Sequence, residues 1–331
     1  MKISFSLELI SLPLRYEWKL SRNTSIHKVN GIVNARSEGK EGRGEIAPNI
    51  RYDETPERVE QEFLQVLPKL EVEFEVKQWP EILAGLTICS ALRVGIDMAF
   101  QNLMASIKGI SLHQQLGLAA AGSRPVCYTI PVMDPTDIAG FMERENLHRF
   151  SWLKIKVHRD SALAMVEEVC HLYAGPVAID GNESWTDVEA AIEFAKAIPS
   201  DRILFLEQPL PAAQREEYIL LNQQSPVQIW GDESILSKAE PDYWKQAFSG
   251  INVKLMKAGS LPNAIHLLQS ARNEGLKTMV GCMVETSLGI SAALSLESLA
   301  DYMDLDGFIL LQNEPFGLVN ETDGIVGFSL S

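Results

Sequence analysis

The sequence is poor in the residues that staple small secreted proteins or hold soft metals. Its 331 residues include four cysteines and six histidines, and Cys89, Cys127, Cys170 and Cys282 lie far apart with no CxxC pair. That spacing excludes a disulfide framework and a zinc knuckle, and leaves buried free thiols as the reading. Net positive charge is missing too. With 29 basic and 44 acidic residues the net charge is −15 and the basic residues do not cluster, so nucleic acid is excluded as a partner. The longest apolar runs, such as 203–206 and 308–311, fall far short of the roughly 20 residues a membrane helix needs. The start, Met1-Lys2-Ile3-Ser4-Phe5-Ser6, alternates like a strand and lacks a signal peptide's apolar stretch, which predicts a cytoplasmic protein.

What is present is the composition of a folded globular chain, 46% apolar and 22% charged, long enough for about two domains of roughly 150 residues. The rhythm changes near Arg124-Pro125. Before it, strand-like segments at 3–10 and 29–35 flank a glycine-rich turn at 38–44. Two helices follow, one announced by Thr55 as N-cap with Pro56 behind it, the other carried by Leu92, Ile96, Ala99, Phe100 and Leu103. This is an α+β unit.

After Pro125 a short apolar run followed by a helix recurs. The runs fall at 126–130, 152–157, 177–179, 203–206, 227–230, 251–255, 278–280 and 307–310, with amphipathic stretches at 162–173, 188–197 and 263–273 among those between them. Strands alternating with helices imply a parallel sheet, and eight of them imply closure into a barrel of the α/β class. An open doubly wound sheet is the rival. Against it, the first strand–helix turn, Pro131-Val132-Met133-Asp134-Pro135, carries no GxGxxG, and GxxxxGK[ST] is absent throughout.

In such a barrel the active site sits at the C-terminal strand ends, and here those ends are charged. Strand alternation puts Lys154 and Lys156 on one side. The next three strands end in Asp180, Glu207 and Asp232, at steps of 27 and 25 residues, one βα unit each. Three converging carboxylates repel unless a cation joins them, and hard oxygen donors without a nearby His or Cys point to Mg²⁺. Lys254 follows one strand later, so Lys156 and Lys254 bracket the metal. Two such lysines can take a proton from one face of an α-carbon and return one to the other, the metal holding the carboxylate and stabilising an enediolate, with nearby positive charge lowering a lysine pKa toward neutrality.

At this point the chain resembles the enolase superfamily, and within it the muconate-lactonizing-enzyme subgroup, over nearly its whole length. Lys154-Ile155-Lys156 looks like that subgroup's KxK, Asp180, Glu207 and Asp232 fall on its metal ligands, and Lys254 falls on its sixth-strand lysine. The resemblance implies a (β/α)7β TIM-like barrel over 124–312 with an α+β capping domain over 1–123, completed by 313–331. It implies Lys156 and Lys254 as the acid/base pair, with Lys154 neutralising the enolate.

Asp304-Leu305-Asp306, placed at the start of the eighth strand, resembles the DxD with which dipeptide epimerases hold the substrate's α-ammonium group. Asn182-Glu183-Ser184-Trp185, Glu207-Gln208-Pro209-Leu210-Pro211 and Gly281-Cys282-Met283 also look like short-form L-Ala-D/L-Glu epimerases. Substrate contacts are thereby expected from Asp304, Asp306, Met283 and Glu285, and from Arg22 in the loop near 18–26, which could pair with a second-residue Glu. In some members the corresponding arginine sits one place later, where this chain has Asn23; Ser260 replaces the second Gly of the usual KxGG and the C-terminal tail is short, neither of which touches the chemistry. The resemblance thus implies a Mg²⁺-dependent dipeptide epimerase with a small-molecule substrate, linked to murein-peptide recycling if that residue is Glu. Self-association into a homo-oligomer stays open.

The mandelate-racemase subgroup needs a seventh-strand His, whereas the last histidine is His266, before that strand. On the same scaffold, o-succinylbenzoate synthase, N-acylamino acid racemase and muconate cycloisomerase stand as alternatives. They bind no ammonium, so Asp304 and Asp306 discriminate. A Schiff-base aldolase has no need of three metal carboxylates, and a catalytically dead binding protein would be expected to have lost one of these groups.

Overall fold

Strand alternation is visible from the first residues of the computed structural model, which describes residues 1–19 and 24–329: Ile3 and Phe5 are buried while Lys2, Ser4 and Ser6 are exposed. Three long strands, β1 (Ser4–Lys19), β2 (Thr24–Ser37) and β3 (Lys40–Ile46), form an antiparallel sheet in that order. The third strand takes up most of the turn expected at 38–44, and the reason is packing. The turn is only Glu38-Gly39, whereas a Cβ on Gly42 would lie 2.1 Å from Leu103 N and one on Gly44 2.0 Å from Gly95 O, so these glycines let β3 lie directly on the helix Ser90–Lys108. The preceding helix, Pro56–Leu70, is capped by Thr55, which accepts from Arg58 N, and it buries Val59, Phe63, Val66 and Leu70 on one face.

The chain then enters the second unit through β4 (Arg124–Pro125). Eight short parallel strands follow: β5 (Tyr128–Ile130), β6 (Leu153–Lys156), β7 (Val177–Asp180), β8 (Ile203–Glu207), β9 (Ile229–Gly231), β10 (Gly250–Lys254), β11 (Lys277–Gly281) and β12 (Tyr302–Asp304). They hydrogen-bond in chain order from β5 to β12, and Cys127 N donates to Met303 O at 3.4 Å, bringing first and last together in a nearly closed barrel. Helices such as Ala162–Leu172, Val188–Ala197 and Leu261–Asn273 occupy the amphipathic stretches and cover the outside. Inside, Trp152, Phe205, Trp230 and Met279 form an apolar plug, the Phe205 and Trp230 rings stacked at 4.3 Å. Charge is therefore confined to the barrel mouth.

The eighth strand is displaced from its expected place. It ends at Asp304 instead of beginning there, and 307–310 is a turn. The turn is apolar because it is covered from above: Arg15 N donates to Leu310 O, and Leu14 bridges to Leu311. The final hairpin, β13 (Val319–Thr322) and β14 (Ile325–Phe328), pairs with β4. No helix among the described residues is long and apolar enough to cross a membrane.

Candidate active site

Register assembles the charges in layers. Lys156 pairs with Asp180 and Asp180 with Glu207 across β6, β7 and β8, while Lys254 aligns with Gly281 and Gly281 with Asp304 across β10, β11 and β12. In an eight-strand barrel β6 and β10 stand four places apart, so Lys156 and Lys254 face each other. Lys154, Lys156, Asp232, Lys254 and Asp304 line a cavity of about 730 Å³ that is covered from above by Asn49, Arg51 and Tyr52 of the N-terminal unit.

Oxygens of Asp180, Glu207 and Asp232 lie within 4.8 Å of one another, all three residues fully or almost fully buried. Lysines surround them. Lys154 Nζ is 2.8 Å from Glu207, 2.9 Å from Asp304 and 3.3 Å from Asp180, Lys156 Nζ donates to Asp180 at 2.8 Å, and Lys254 Nζ donates to Asp232 at 2.8 Å. The Glu207 oxygen facing Lys154 has no aligned hydrogen-bond donor despite its burial. A buried, unaligned carboxylate oxygen pointing into a group of three hard donors fits a divalent cation.

Burial alone would raise every carboxylate here, and the lysines decide which resist. Lys156 and Lys154 bring Asp180 down to about 2, and Lys254 and Lys257 hold Asp232 well below the carboxylate range. Glu207 has Lys154 against burial and three acidic neighbours, and rises to about 7. Lys154 and Lys254 would be lowered by burial, but Asp304 and Glu207 raise the first and Asp232 the second well above the ordinary ammonium value. This sign is opposite to the expected depression toward neutrality, because each amine rests on the carboxylates that a cation would claim.

Asp304 and Asp306 both line the cavity. Asp304 receives Lys154 and the Cys127 thiol, the latter at 3.2 Å; Asp306 accepts from Thr129 N at 2.6 Å, and burial and then Asp304 push its carboxyl up to about 6. Cys127 sits within metal-ligand reach of the two, but burial pushes its thiol well up, which makes it a donor to Asp304. Met283 lines the cavity; Glu285 does not. Its carboxyl accepts from Met283 N at 2.8 Å in a buried place where burial and Glu45 raise it to about 8. Arg22 lies outside the described residues.

Several supporting residues escape a strand-end reading. Lys257, three residues past Lys254 on a short helical turn, donates to Asp232, and burial lowers its pKa. Asn182, held at a positive φ of 40°, accepts from Lys156 at 3.0 Å and donates to Glu233 at 3.2 Å. Asn252 donates to Glu207 at 2.9 Å, and Gln208 Oε1 accepts the Asp232 and Ser234 amides. Asp180-Gly181-Asn182, Glu207-Gln208-Pro209 and Lys254-Leu255-Met256-Lys257 carried a signal for three of them as polar residues beside strand ends; Asn252 carried none.

Residues 137–309 match the enolase C-terminal domain-like family. The chain is 31% identical over 319 residues to an L-Ala-D/L-Glu epimerase of Bacteroides thetaiotaomicron, covering 95% of this chain and 82% of that one. It is 33% identical over 337 residues to an L-Ala-D/L-amino acid epimerase of Pedosphaera parvula, covering 96% and 94%. Among solved structures it resembles a dipeptide epimerase from Methylococcus capsulatus complexed with Mg and L-Arg-D-Lys, with a TM-score of 0.86, 25% identity, and coverage of 99% and 98%.

Proposed function

The chain belongs to the enolase C-terminal domain-like family, and from that premise we propose that it is a Mg²⁺-dependent dipeptide epimerase, inverting the α-carbon of the second residue of a substrate such as L-Ala-D/L-Glu. The observation that carries this reading is the placement of Lys156 and Lys254 on opposite strands of one cavity that also holds the Asp304/Asp306 pair.

Asp180, Glu207 and Asp232 would hold the cation, which when bound supplies the positive charge that fixes the substrate carboxylate and offsets the charge left when the α-proton departs. The other steps belong to the chain. Asp304 and Asp306 receive the N-terminal ammonium, two acceptors for three donors. Lys154, between Glu207 and Asp304, neutralises the carboxylate side of the substrate. One of Lys156 and Lys254 removes the α-proton from its face, and the other delivers a proton to the opposite face; the reverse reaction exchanges the roles. Residues 1–123 with 313–331 form, on this reading, the unit that covers the mouth of the 124–312 barrel, and Arg22 and Met283 contact the substrate's second side chain.

A screen of L-Ala-X dipeptides in D₂O with Mg²⁺, read by NMR for loss of the α-proton signal and appearance of the second epimer, tests the proposal. Exchange and epimerisation of at least one dipeptide are expected. Inactivity on all of them, with turnover of N-acylamino acids or succinylbenzoate instead, would overturn it.

A further inference from the structure

Asp97 lies on the helix Ser90–Lys108 of the N-terminal unit and is wholly buried. One carboxylate oxygen accepts from Trp79 Nε1 at 2.9 Å and Gln101 Nε2 at 3.2 Å, and the other accepts from the Leu261 amide at 2.8 Å. The last bond crosses between the two units. Leu261 is the first residue of the barrel helix Leu261–Asn273, so a free N–H at that helix's N-terminus is taken up by an anion 164 residues away in the chain. A carboxylate offers both oxygens as acceptors to these donors, whereas an amide offers one.

The anchored helix is the next element after the turn that carries Lys254. Lys254 closes β10 and begins the short helical turn Leu255–Ala258; Gly259, left-handed at a φ of 77°, then swings the chain out toward Ser260 and Leu261. A glycine joint is pliant, so the direction of the turn depends on what fixes its far side. Asp97 fixes it from the N-terminal unit, and Ala47 N adds a contact to Met256 Sδ at 3.3 Å. Lys156 is held by other means. It ends β6, donates to Asp180 and Asn182, and meets the N-terminal unit through the neighbouring Glu183 and its ion pair with Arg51.

We propose that Asp97 is a positioning residue: by capping the helix Leu261–Asn273 from the N-terminal unit it fixes the turn that carries Lys254, and so sets that lysine's reach to its face of the α-carbon. This rests on the two-lysine epimerase reading and deepens it, since Asp97 does not line the cavity.

The test measures α-proton loss in D₂O with Mg²⁺ from each epimer of an active dipeptide, in the wild type and in Asp97→Asn, Leu261→Pro and Leu261→Ala. Lys254→Ala identifies the epimer whose proton Lys254 takes. The ratio of the two initial exchange rates is the readout, because a loss of folded enzyme or of bound metal slows both epimers alike. Asp97→Asn removes an acceptor, and proline at 261, a first helical position that suits its ring, removes the N–H. Both should slow the Lys254 epimer relative to the other by at least about tenfold, within the roughly hundredfold that a misplacement of about 1 Å can cost. Leu261→Ala loses packing but keeps the N–H, and should keep the wild-type ratio. Equal slowing of both epimers in Asp97→Asn and Leu261→Pro, or a shift in Leu261→Ala as large as theirs, overturns the positioning role and leaves the epimerase reading intact. Inactivity of the wild type on every dipeptide overturns both.

Discussion

Arg51 closes a two-pronged ion pair onto Glu183, its Nε and Nη2 lying 2.8 and 2.9 Å from the two carboxylate oxygens. The pair joins the N-terminal unit to the loop after β7, the same loop in which Asn182 holds Lys156. Glu183 also accepts from Ala212 N at 2.7 Å and is nearly fully buried, whereas the Arg51 side chain is 40% exposed. Removing the guanidinium would take a two-pronged charged partner from a buried carboxylate, so Arg51→Met should lower stability by about 1–3 kcal/mol, between the values for exposed and buried pairs. Urea unfolding followed by circular dichroism checks this. Because the loop carries the partner of Lys156, kcat should drop as well.

Asp232 anchors two lysines at once, Lys254 at 2.8 Å and Lys257 beside it, while facing Asp180 and Glu207. Asp232→Asn keeps the shape and removes the anion. Calorimetric titration with Mg²⁺ should show binding at least about tenfold weaker, and turnover should be lost with the far-ultraviolet spectrum unchanged. An enzyme that stays fully active after exhaustive chelation would contradict the metal assignment.

Asp306 yields a pH dependence. Its carboxyl is raised to about 6 by burial first and by Asp304 second, so below that pH it is protonated and cannot offer a full charge to an ammonium group. kcat/KM for dipeptides should therefore climb as pH rises through about 6, since that parameter reports the free enzyme. Asp306→Asn should flatten this limb and raise KM, and N-acetylated dipeptides should be poor substrates at any pH. A profile with the same limb in Asp306→Asn would assign the titration elsewhere.

The strand-end chemistry was legible because two regular rules met there. Period-two alternation put Lys154 and Lys156 on one side, and the βα repeat delivered Asp180, Glu207 and Asp232 to neighbouring strands, where the register aligns them. What escaped depends on contacts between distant parts of the chain. Gly42 and Gly44 resemble turn residues until the helix Ser90–Lys108 lies on them. The run 307–310 resembles a strand because a buried turn under β1 needs the same apolar residues. Asn252 reaches Glu207 from inside β10 across 45 residues of chain, and Arg51 meets Glu183 across 132.

Lys156 and Lys254 face each other across the cavity. Each rests on a carboxylate that has a second lysine: Asp232 keeps Lys257 when Lys254 is removed, and Asp180 keeps Lys154, at 3.3 Å, when Lys156 is removed. Neither alanine substitution therefore leaves a buried carboxylate without a cation, and both variants should fold. Epimerisation needs both faces of the α-carbon, but exchange of the α-proton needs only the base on the face where that proton points. Lys254→Ala should lose epimerisation, with a rate at least about a hundredfold below wild type, the lower end of what a positioned acid or base contributes. It should still exchange the α-proton of one epimer with D₂O, returning it labelled and unconverted. Lys156→Ala should show the opposite stereochemical preference, provided Lys154, locked between Glu207 and Asp304, stays out of reach of the α-carbon. If Lys254→Ala interconverted the epimers at the wild-type rate, a single mobile base would have to replace the pair, and the opposition of β6 and β10 would have no catalytic meaning.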